Sequence, residues 1–318
     1  MTDASAALPL GSFGGATAHG AAHIQHGKPN QDAFLGMNIG GWTVIAVADG
    51  HGSAPHFRSD RGARIAVESA HLAISQFTEN GTADTKTFAN LRANLSHLAS
   101  NIVTMWRAAV ISDINTDPVM LEAGRDLFMP YGSTCVVAAF GNGLSLFVQI
   151  GDGDIVVSVA DGQLTCPLPD DDGMIGEQTY SLCQIDAAIH FRHALFAAPH
   201  PLAEPSFAMV ATDGLSKSFV QRKQFEHVFF EWKKIVTDHG LAGACVRLED
   251  WLSNVSRNGN GDDVTSMLYS LPRVSELKSA KASGLQSILA GPYILGKIFV
   301  YVLIAVIAVI VSVYKYRL

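Results

Sequence analysis

Acidic residues recur at the borders of apolar, strand-like segments of this chain. They are Asp32, Asp49, Asp152, Asp213 and the pair Asp262 and Asp263. One aspartate in such a position is usually part of a turn. Several carboxylates gathered at one edge of a pair of sheets are costly unless cations neutralise them, and their hard oxygens suit Mg²⁺ or Mn²⁺. Two divalent ions bound there would activate water for attack on a phosphoryl group.

The segment Val44–Gly52 combines a carboxylate with an imidazole. Five small or β-branched residues lead directly into Asp49, Gly50, His51 and Gly52. This pattern predicts a buried strand that ends in a sharp turn, because glycine permits backbone conformations and close approaches that other residues do not. An imidazole near its ordinary pKa suits proton transfer at neutral pH. The segment therefore predicts a site at the end of a strand.

The remaining elements are predicted from hydrophobic periodicity and turn residues. Apolar residues at helical spacing predict long helices over 60–77 and 88–114, and further helices over 219–239 and 241–253. Strands are predicted over 41–48, 131–140, 144–150, 155–160, 163–166, 193–198, 207–211 and 264–268. Glycine-containing turns join the predicted strands between residues 131 and 166. This arrangement predicts an antiparallel meander and not a βαβ series.

Composition excludes several classes of protein. The chain has 318 residues, of which 48% are hydrophobic, and it carries a formal net charge of −7. This content is ample for a packed core, and the acidic balance without a basic stripe argues against a nucleic-acid partner. The four cysteines are widely separated and contain no Cys-x-x-Cys pair, so neither a disulfide framework nor a zinc site is predicted.

The C-terminal segment predicts a membrane anchor. Residues 293–314 are almost entirely apolar, with Lys297 as the one charge, and would span roughly 33 Å as a helix. Tyr293 and Tyr314 stand where interfacial aromatic residues are found. We therefore expect a globular domain over 1–270, a linker over 271–292 and a tail-anchor helix over 293–314. Because the N-terminus has no signal-peptide pattern, the globular domain is expected on the cytoplasmic side.

The order of short motifs resembles a known family. The chain contains, in sequence, Asn-Gln-Asp-Ala, Ala-Asp-Gly-His-Gly, Gly-Ser-Thr, Gly-Asp, Thr-Asp-Gly-Leu and Gly-Asp-Asp-Val-Thr. This series resembles the metal-dependent serine/threonine protein phosphatases of the PP2C (PPM) family, and a divergent bacterial-type branch of it, over roughly residues 12–270. The resemblance implies an α+β fold of four αββα layers, in which helices flank two antiparallel sheets. The metal site would lie at one end of the sandwich.

The resemblance also implies roles for individual residues. Asp49 would bridge two Mn²⁺ or Mg²⁺ ions, Gly50 would offer a backbone carbonyl to one of them, and metal-bound hydroxide would attack phosphorus. Asp32 would hold metal-bound water and His51 would protonate the leaving group. The other implied metal ligands are Asp213, Asp262 and, for a third and weaker ion, Asp152. Asp263 is expected to orient Asp262, while Ser133 and Thr134 are expected to be strand and packing residues.

Two departures from the family pattern concern the binding of substrate. Many members carry an arginine for the substrate phosphate five residues before the first aspartate, where this chain has Gly27. Lys28 or His26 could substitute as weak phosphate-binding residues, but neither offers the bidentate fork of arginine. The family's Gly-Asp-Ser-Arg motif reads Gly-Asp-Gly-Asp here, so Asp154 replaces a common cation.

These observations leave three hypotheses about function. The first is a membrane-tethered phosphatase that hydrolyses phosphoserine or phosphothreonine in proteins, with substrates at the same membrane. The second is a pseudophosphatase that binds phosphoproteins at the membrane without turnover, which the two departures would explain. The third is a Ca²⁺-binding adaptor, although the chain contains no twelve-residue EF-hand spacing.

Overall fold

The computed structural model describes residues 10–79, 85–119, 124–159, 162–169 and 179–271. The predicted membrane helix over 293–314 and all but the first residue of the predicted linker lie outside these ranges. Within the described ranges, no helix is both long enough and apolar enough to cross a membrane.

Two five-stranded antiparallel sheets form the centre of the fold. The first has the order β2-β3-β4-β5-β8 and the second the order β1-β10-β9-β6-β7. The strands are β1 Ser12–Ala18, β2 Asp32–Ile39, β3 Trp42–Asp49, β4 Cys135–Gly141, β5 Leu144–Ile150, β6 Asp154–Ser158, β7 Leu164–Thr165, β8 Arg192–Ala197, β9 Phe207–Ala211 and β10 Val264–Ser270. Both sheets contribute side chains to a shared core, in which Phe140 stacks on Tyr269 at a centroid distance of 4.0 Å.

Helices cover the outer face of each sheet. The α-helices of the described residues are α1 Ala21–Gln25, α2 Ser59–Thr78, α3 Thr85–Ala93, α4 Leu95–Thr116, α5 Asp213–Ser216 and α6 Arg222–Asn258. Apolar residues of α2 and α4 pack on the first sheet, and those of α6 pack on the second. The predicted α+β architecture of two antiparallel sheets flanked by helices is therefore confirmed.

The meander predicted between residues 131 and 166 is wrong in one respect. Strands β4 and β5 pair with each other in the first sheet, but β6 and β7 belong to the second. The turn at Gly151–Gly153 thus carries the chain from one sheet to the other. The strand expected from residue 131 begins only at Cys135, because Met129–Tyr131 form a 3₁₀ turn.

The two helices predicted over 219–239 and 241–253 form one element with a break. Gly240 has φ 72° and ψ 164° in the middle of α6, a backbone conformation outside the helical region. Glycine adopts a positive φ without the steric penalty of a side chain, so this residue permits the kink. The predicted boundary between the helices therefore coincides with the observed break.

Candidate metal centre

The pairing of β2 with β3 brings the first two candidate aspartates together. Asp32 is the first residue of β2 and lies directly opposite Asp49, the last residue of β3. The Asp49 N–H donates to the Thr134 hydroxyl at 2.9 Å, and the Asp49 carbonyl accepts from the Thr134 N–H at 2.8 Å. Thr134 therefore fixes the end of β3, which agrees with the strand and packing role expected of it.

The second sheet presents its aspartates at the same end of the sandwich. Asp213 follows β9, and Asp262 and Asp263 precede its neighbour β10. The Thr212 hydroxyl donates to Asp32 Oδ2 at 2.7 Å, so one hydrogen bond links the two sheets beside the carboxylates. The fold therefore gathers residues that are far apart in the chain.

Asp152 reaches the cluster from the turn that crosses between the sheets. Its Oδ2 lies 2.8 Å from Lys217 Nζ, and the same ammonium group contacts Asp213 Oδ2. Burial acts to raise the pKa of Asp152, but the hydrogen bond and charge of Lys217 outweigh it, so this pKa lies below its ordinary value. Asp152 is thus an ionised carboxylate with a protein counter-ion.

Three other carboxylates, those of Asp32, Asp49 and Asp213, are destabilised in their charged forms. Burial, followed by repulsion from Asp32 and Asp213, raises the pKa of Asp49 well above its ordinary value. Burial likewise raises the pKa of Asp32. The pKa of Asp213 rises to about 6, through burial first and the charge of Asp152 second. A bound cation would reverse these shifts, because an opposite charge favours the ionised carboxylate.

The donor set fits divalent metal ions. Asp32 Oδ1 is buried and has no hydrogen-bond partner among the described residues. A buried acceptor without a partner is costly, and a metal ion or a water molecule held by one would satisfy it. The cluster offers carboxylate oxygens, the ligands that Mg²⁺ and Mn²⁺ take in proteins.

Gly50 occupies a position that admits no side chain. A Cβ atom there would lie 2.5 Å from the Ser59 carbonyl oxygen and 2.7 Å from the Gln31 carbonyl oxygen. Its N–H donates to the Gln31 carbonyl at 3.0 Å. The close approach of three backbone segments therefore requires glycine beside Asp49.

His51 lies near the cluster, with its ring beside that of His56. Burial, followed by the neighbouring His56, lowers its pKa to about 4, while the charge of Asp152 acts in the opposite direction. The two imidazole rings are 4.9 Å apart and meet edge to face. The backbone N–H of His51 donates to the Gly132 carbonyl at 3.1 Å, which fixes the residue that follows Gly50.

The two residues expected to replace the missing arginine differ in position. Lys28 Nζ donates to the Gly52 carbonyl at 2.7 Å, which places its charge beside the turn that carries His51. His26 Nδ1 lies 2.6 Å from the Ala22 carbonyl, within its own short helical segment. Of the two, the structure brings Lys28 to the site.

Three residues beside the cluster have contacts that sequence reasoning did not identify. Asp263, 3% exposed, accepts hydrogen bonds from the N–H groups of Gly20 and Gln31 at 2.6 and 2.7 Å. It also contacts His23 Nδ1 at 2.8 Å, while His23 Nε2 lies 3.4 Å from Asp262 Oδ1. The third is Lys217, which stands four residues after Asp213 in the sequence. This spacing brings two side chains together on a helix, so it could have indicated the contact.

Comparison with known proteins agrees with this geometry. The family model described as Protein phosphatase 2C matches residues 19–253 of the chain. No curated protein sequence matches it.

Several solved structures share the fold. A bacterial serine phosphatase has a TM-score of 0.53 at 14% identity, over 82% of this chain and 98% of its own. The catalytic domain of the serine threonine protein phosphatase PstP, in complex with 2 manganese ions, has a TM-score of 0.51 at 16% identity, over 82% and 97% of the two chains. A C. elegans sex-determining protein has a TM-score of 0.51 at 17% identity, over 85% of this chain and 67% of its own.

Proposed function

This chain belongs to the protein phosphatase 2C family, and we propose that it hydrolyses phosphoserine and phosphothreonine in proteins with two Mn²⁺ or Mg²⁺ ions. The observation that carries the proposal is the cluster itself. Carboxylates from both sheets meet at one end of the sandwich, where Asp32 Oδ1 is buried without a partner among the described residues. Asp49, Gly50, Asp213 and Asp262 would hold the ions, and Asp32 would orient water beside them.

The ions and the protein residues would contribute different parts of the chemistry. Bound divalent cations would neutralise the carboxylates and supply activated water for attack on phosphorus. Lys28, whose ammonium group donates to the Gly52 carbonyl, would attract the phosphate group. Its single point charge gives weaker positioning than an arginine fork.

His51 would deliver a proton to the leaving alkoxide. Its pKa of about 4 means that the imidazole is neutral at pH 7 before substrate binds. A phosphate dianion beside the ring favours the protonated form and raises this pKa again, so the proton would be acquired together with the substrate. General acid catalysis of this kind contributes roughly 10² to 10⁴ in rate.

The test is hydrolysis of a phosphothreonine peptide by the full-length protein with Mn²⁺, with Mg²⁺ and with excess chelator. Asp49→Asn is expected to lower turnover by about 100-fold or more, because it weakens the site for both ions. Asp250→Asn, an exposed aspartate on α6, is the matched control and should retain activity. Undiminished turnover by Asp49→Asn, or turnover that survives chelation, would refute the proposal. A folded protein that binds two ions but shows no turnover would instead be a phosphoprotein-binding module.

We also propose that residues 293–314 anchor the phosphatase domain to a membrane from the cytoplasmic side. The support is the sequence, in which Lys297 is the one charge in 22 almost entirely apolar or aromatic positions. Tethering would favour substrates at the same membrane by raising their effective concentration. The full chain should float with lipid vesicles in a density gradient, and a chain that stays with the soluble fraction would refute the anchor.

A further inference from the structure

Lys217 directly follows the short helix α5, and its half-exposed side chain contacts two carboxylates of the cluster. Its backbone N–H donates to the Asp213 carbonyl at 2.8 Å, which fixes the four-residue spacing between the two. Its ammonium group bridges Asp213 Oδ2 and Asp152 Oδ2, the latter at 2.8 Å. A protein cation thus already lies between two carboxylates from different parts of the chain, one in the turn before β6 and one at the start of α5.

We propose that the Lys217 ammonium group takes the place of a third divalent cation beside Asp152, so that the site holds two metal ions and no more. This inference rests on the proposed two-metal phosphatase function. It departs from the expectation that Asp152 helps to bind a third ion.

The loop that carries Asp152 is already occupied by donors of the protein. Gln149 Nε2 donates to the carbonyls of Gly151 and Gly153 at 3.0 and 2.5 Å, and Arg192 also donates to the Gly151 carbonyl at 3.1 Å. A divalent ion such as Mg²⁺ needs about six oxygen ligands. The N–H donors therefore compete for oxygens that such an ion would use.

Asp154, which follows this loop at the start of β6, has a basic partner through one of its oxygens, while its Oδ2 is buried without a hydrogen-bond partner among the described residues. Asp154 Oδ1 accepts a hydrogen bond from Arg222 at 2.6 Å. Asp154 is therefore directed to a guanidinium group of α6, and the loop uses two basic side chains, Lys217 and Arg222, as its counter-ions.

Charge balance supports the same conclusion. The carboxylates that face the cluster are Asp32, Asp49, Asp152, Asp213 and Asp262. If all five are ionised, Lys217 leaves four negative charges, which two divalent ions neutralise. Asp263 is not included because its oxygens accept hydrogen bonds from two backbone N–H groups and contact His23.

The experiment counts Mn²⁺ ions bound to the full-length protein in detergent, by equilibrium dialysis and elemental analysis at saturating metal. The wild type is expected to bind two ions, and Lys217→Met to bind three, because the removed ammonium group leaves Asp152 free for a cation. Lys234→Met is the matched control, since Lys234 also pairs with an aspartate four residues away, Asp238, on the exposed side of α6. It should bind two ions.

A second variant covers the case in which Lys217→Met does not fold. Asp152→Asn removes the carboxylate in question, and we expect it to bind the same two ions as the wild type. Three ions in the wild type, two in a folded Lys217→Met, or the loss of an ion in Asp152→Asn would each overturn the inference. A wild type that binds no Mn²⁺ would overturn the proposed function and, with it, this inference.

Discussion

Asp213→Asn should make the metal-free protein more stable at neutral pH, although it damages the site. The Asp213 side chain is 11% exposed and lies beside Asp49 and Asp152. Its ionised form is unfavourable there even with Lys217 in contact, since its pKa remains raised at about 6. Asparagine has nearly the same shape and carries no charge, so it removes the electrostatic penalty.

The size of the effect follows from the pKa shift. The rise from 3.8 to about 6 is a difference of about two units, which corresponds to roughly 3 kcal/mol. Because the folded pKa of an acid is raised, the folded state binds the proton more tightly. The destabilisation of the folded wild type by ionised Asp213 is therefore absent below pH 3.8, grows as the pH rises through 6 and is complete at pH 7.5.

Metal ions should reverse the order of stability. At a free Mn²⁺ concentration a thousand times the dissociation constant, the wild type would gain about 4.1 kcal/mol. Asp213→Asn would lack one of the proposed ionic ligands, so it should bind Mn²⁺ more weakly and gain less. The variant should thus unfold at a higher temperature than the wild type in chelator and at a lower one in excess Mn²⁺.

The assay is thermal unfolding followed by near-ultraviolet circular dichroism. In chelator at pH 7.5 the midpoint of Asp213→Asn should lie roughly 6 to 12 °C above that of the wild type, given about 2–4 °C per kcal/mol for a domain of this size. At pH 4.5 the stability difference should fall to about 1 kcal/mol. The exposed control Asp250→Asn should show neither effect. A metal-free variant that is less stable than the wild type at pH 7.5, or a difference that does not depend on pH, would refute the reasoning.

Two further predictions concern the helix α2, which packs on the first sheet. Gly62→Ala would place a Cβ atom 1.8 Å from the Tyr131 carbonyl oxygen. We therefore expect the free energy of unfolding to fall by about 3 kcal/mol or more and the urea midpoint to be lower. An unchanged midpoint would contradict this packing. Burial lowers the pKa of His71 below 6.5, and its ring nitrogens face the Val67 and Val44 carbonyls at 2.8 and 3.3 Å. A group with a depressed folded pKa contributes stability that is present above its unfolded pKa, so the contribution of His71 should be lost as the pH drops below 6.5, and the stability of metal-free wild type relative to His71→Gln should fall over that range. Parallel stability curves for the two proteins would show that His71 is not responsible.

The sequence predicted those features of the fold that local signals determine. The strand before Asp49 and the helix over 60–77 follow from short-range periodicity, and both agree with the structure. The break at Gly240 is likewise a property of one residue. The sheet to which β6 belongs could not be predicted from local signals. A glycine-containing turn has the same sequence pattern whether it joins two strands of one sheet or carries the chain from one sheet to the other.

The predicted site was incomplete for a similar reason. The acidic residues were recognisable because each stands at the end of an apolar segment. His23 and Asp263, in contrast, are 240 residues apart in the chain, and Lys217 and Asp152 are 65 residues apart. Only the packing of the two sheets and their connecting turns brings these partners together, so no short motif could reveal them.

The rigidity of the strand ends would increase the affinity of the proposed metal site. Asp32 and Asp49 lie at the end of a ladder of eight consecutive residue pairs, so neither can move away from the other without disrupting β2 and β3. Thr134 and Thr212 hold the same two residues by hydrogen bonds. The repulsion between the carboxylates therefore persists in the metal-free protein instead of being relieved by local movement. Side chains that are already in position lose little conformational entropy when a cation binds. The relief of the repulsion between the carboxylates would therefore contribute almost fully to the binding free energy of the cations.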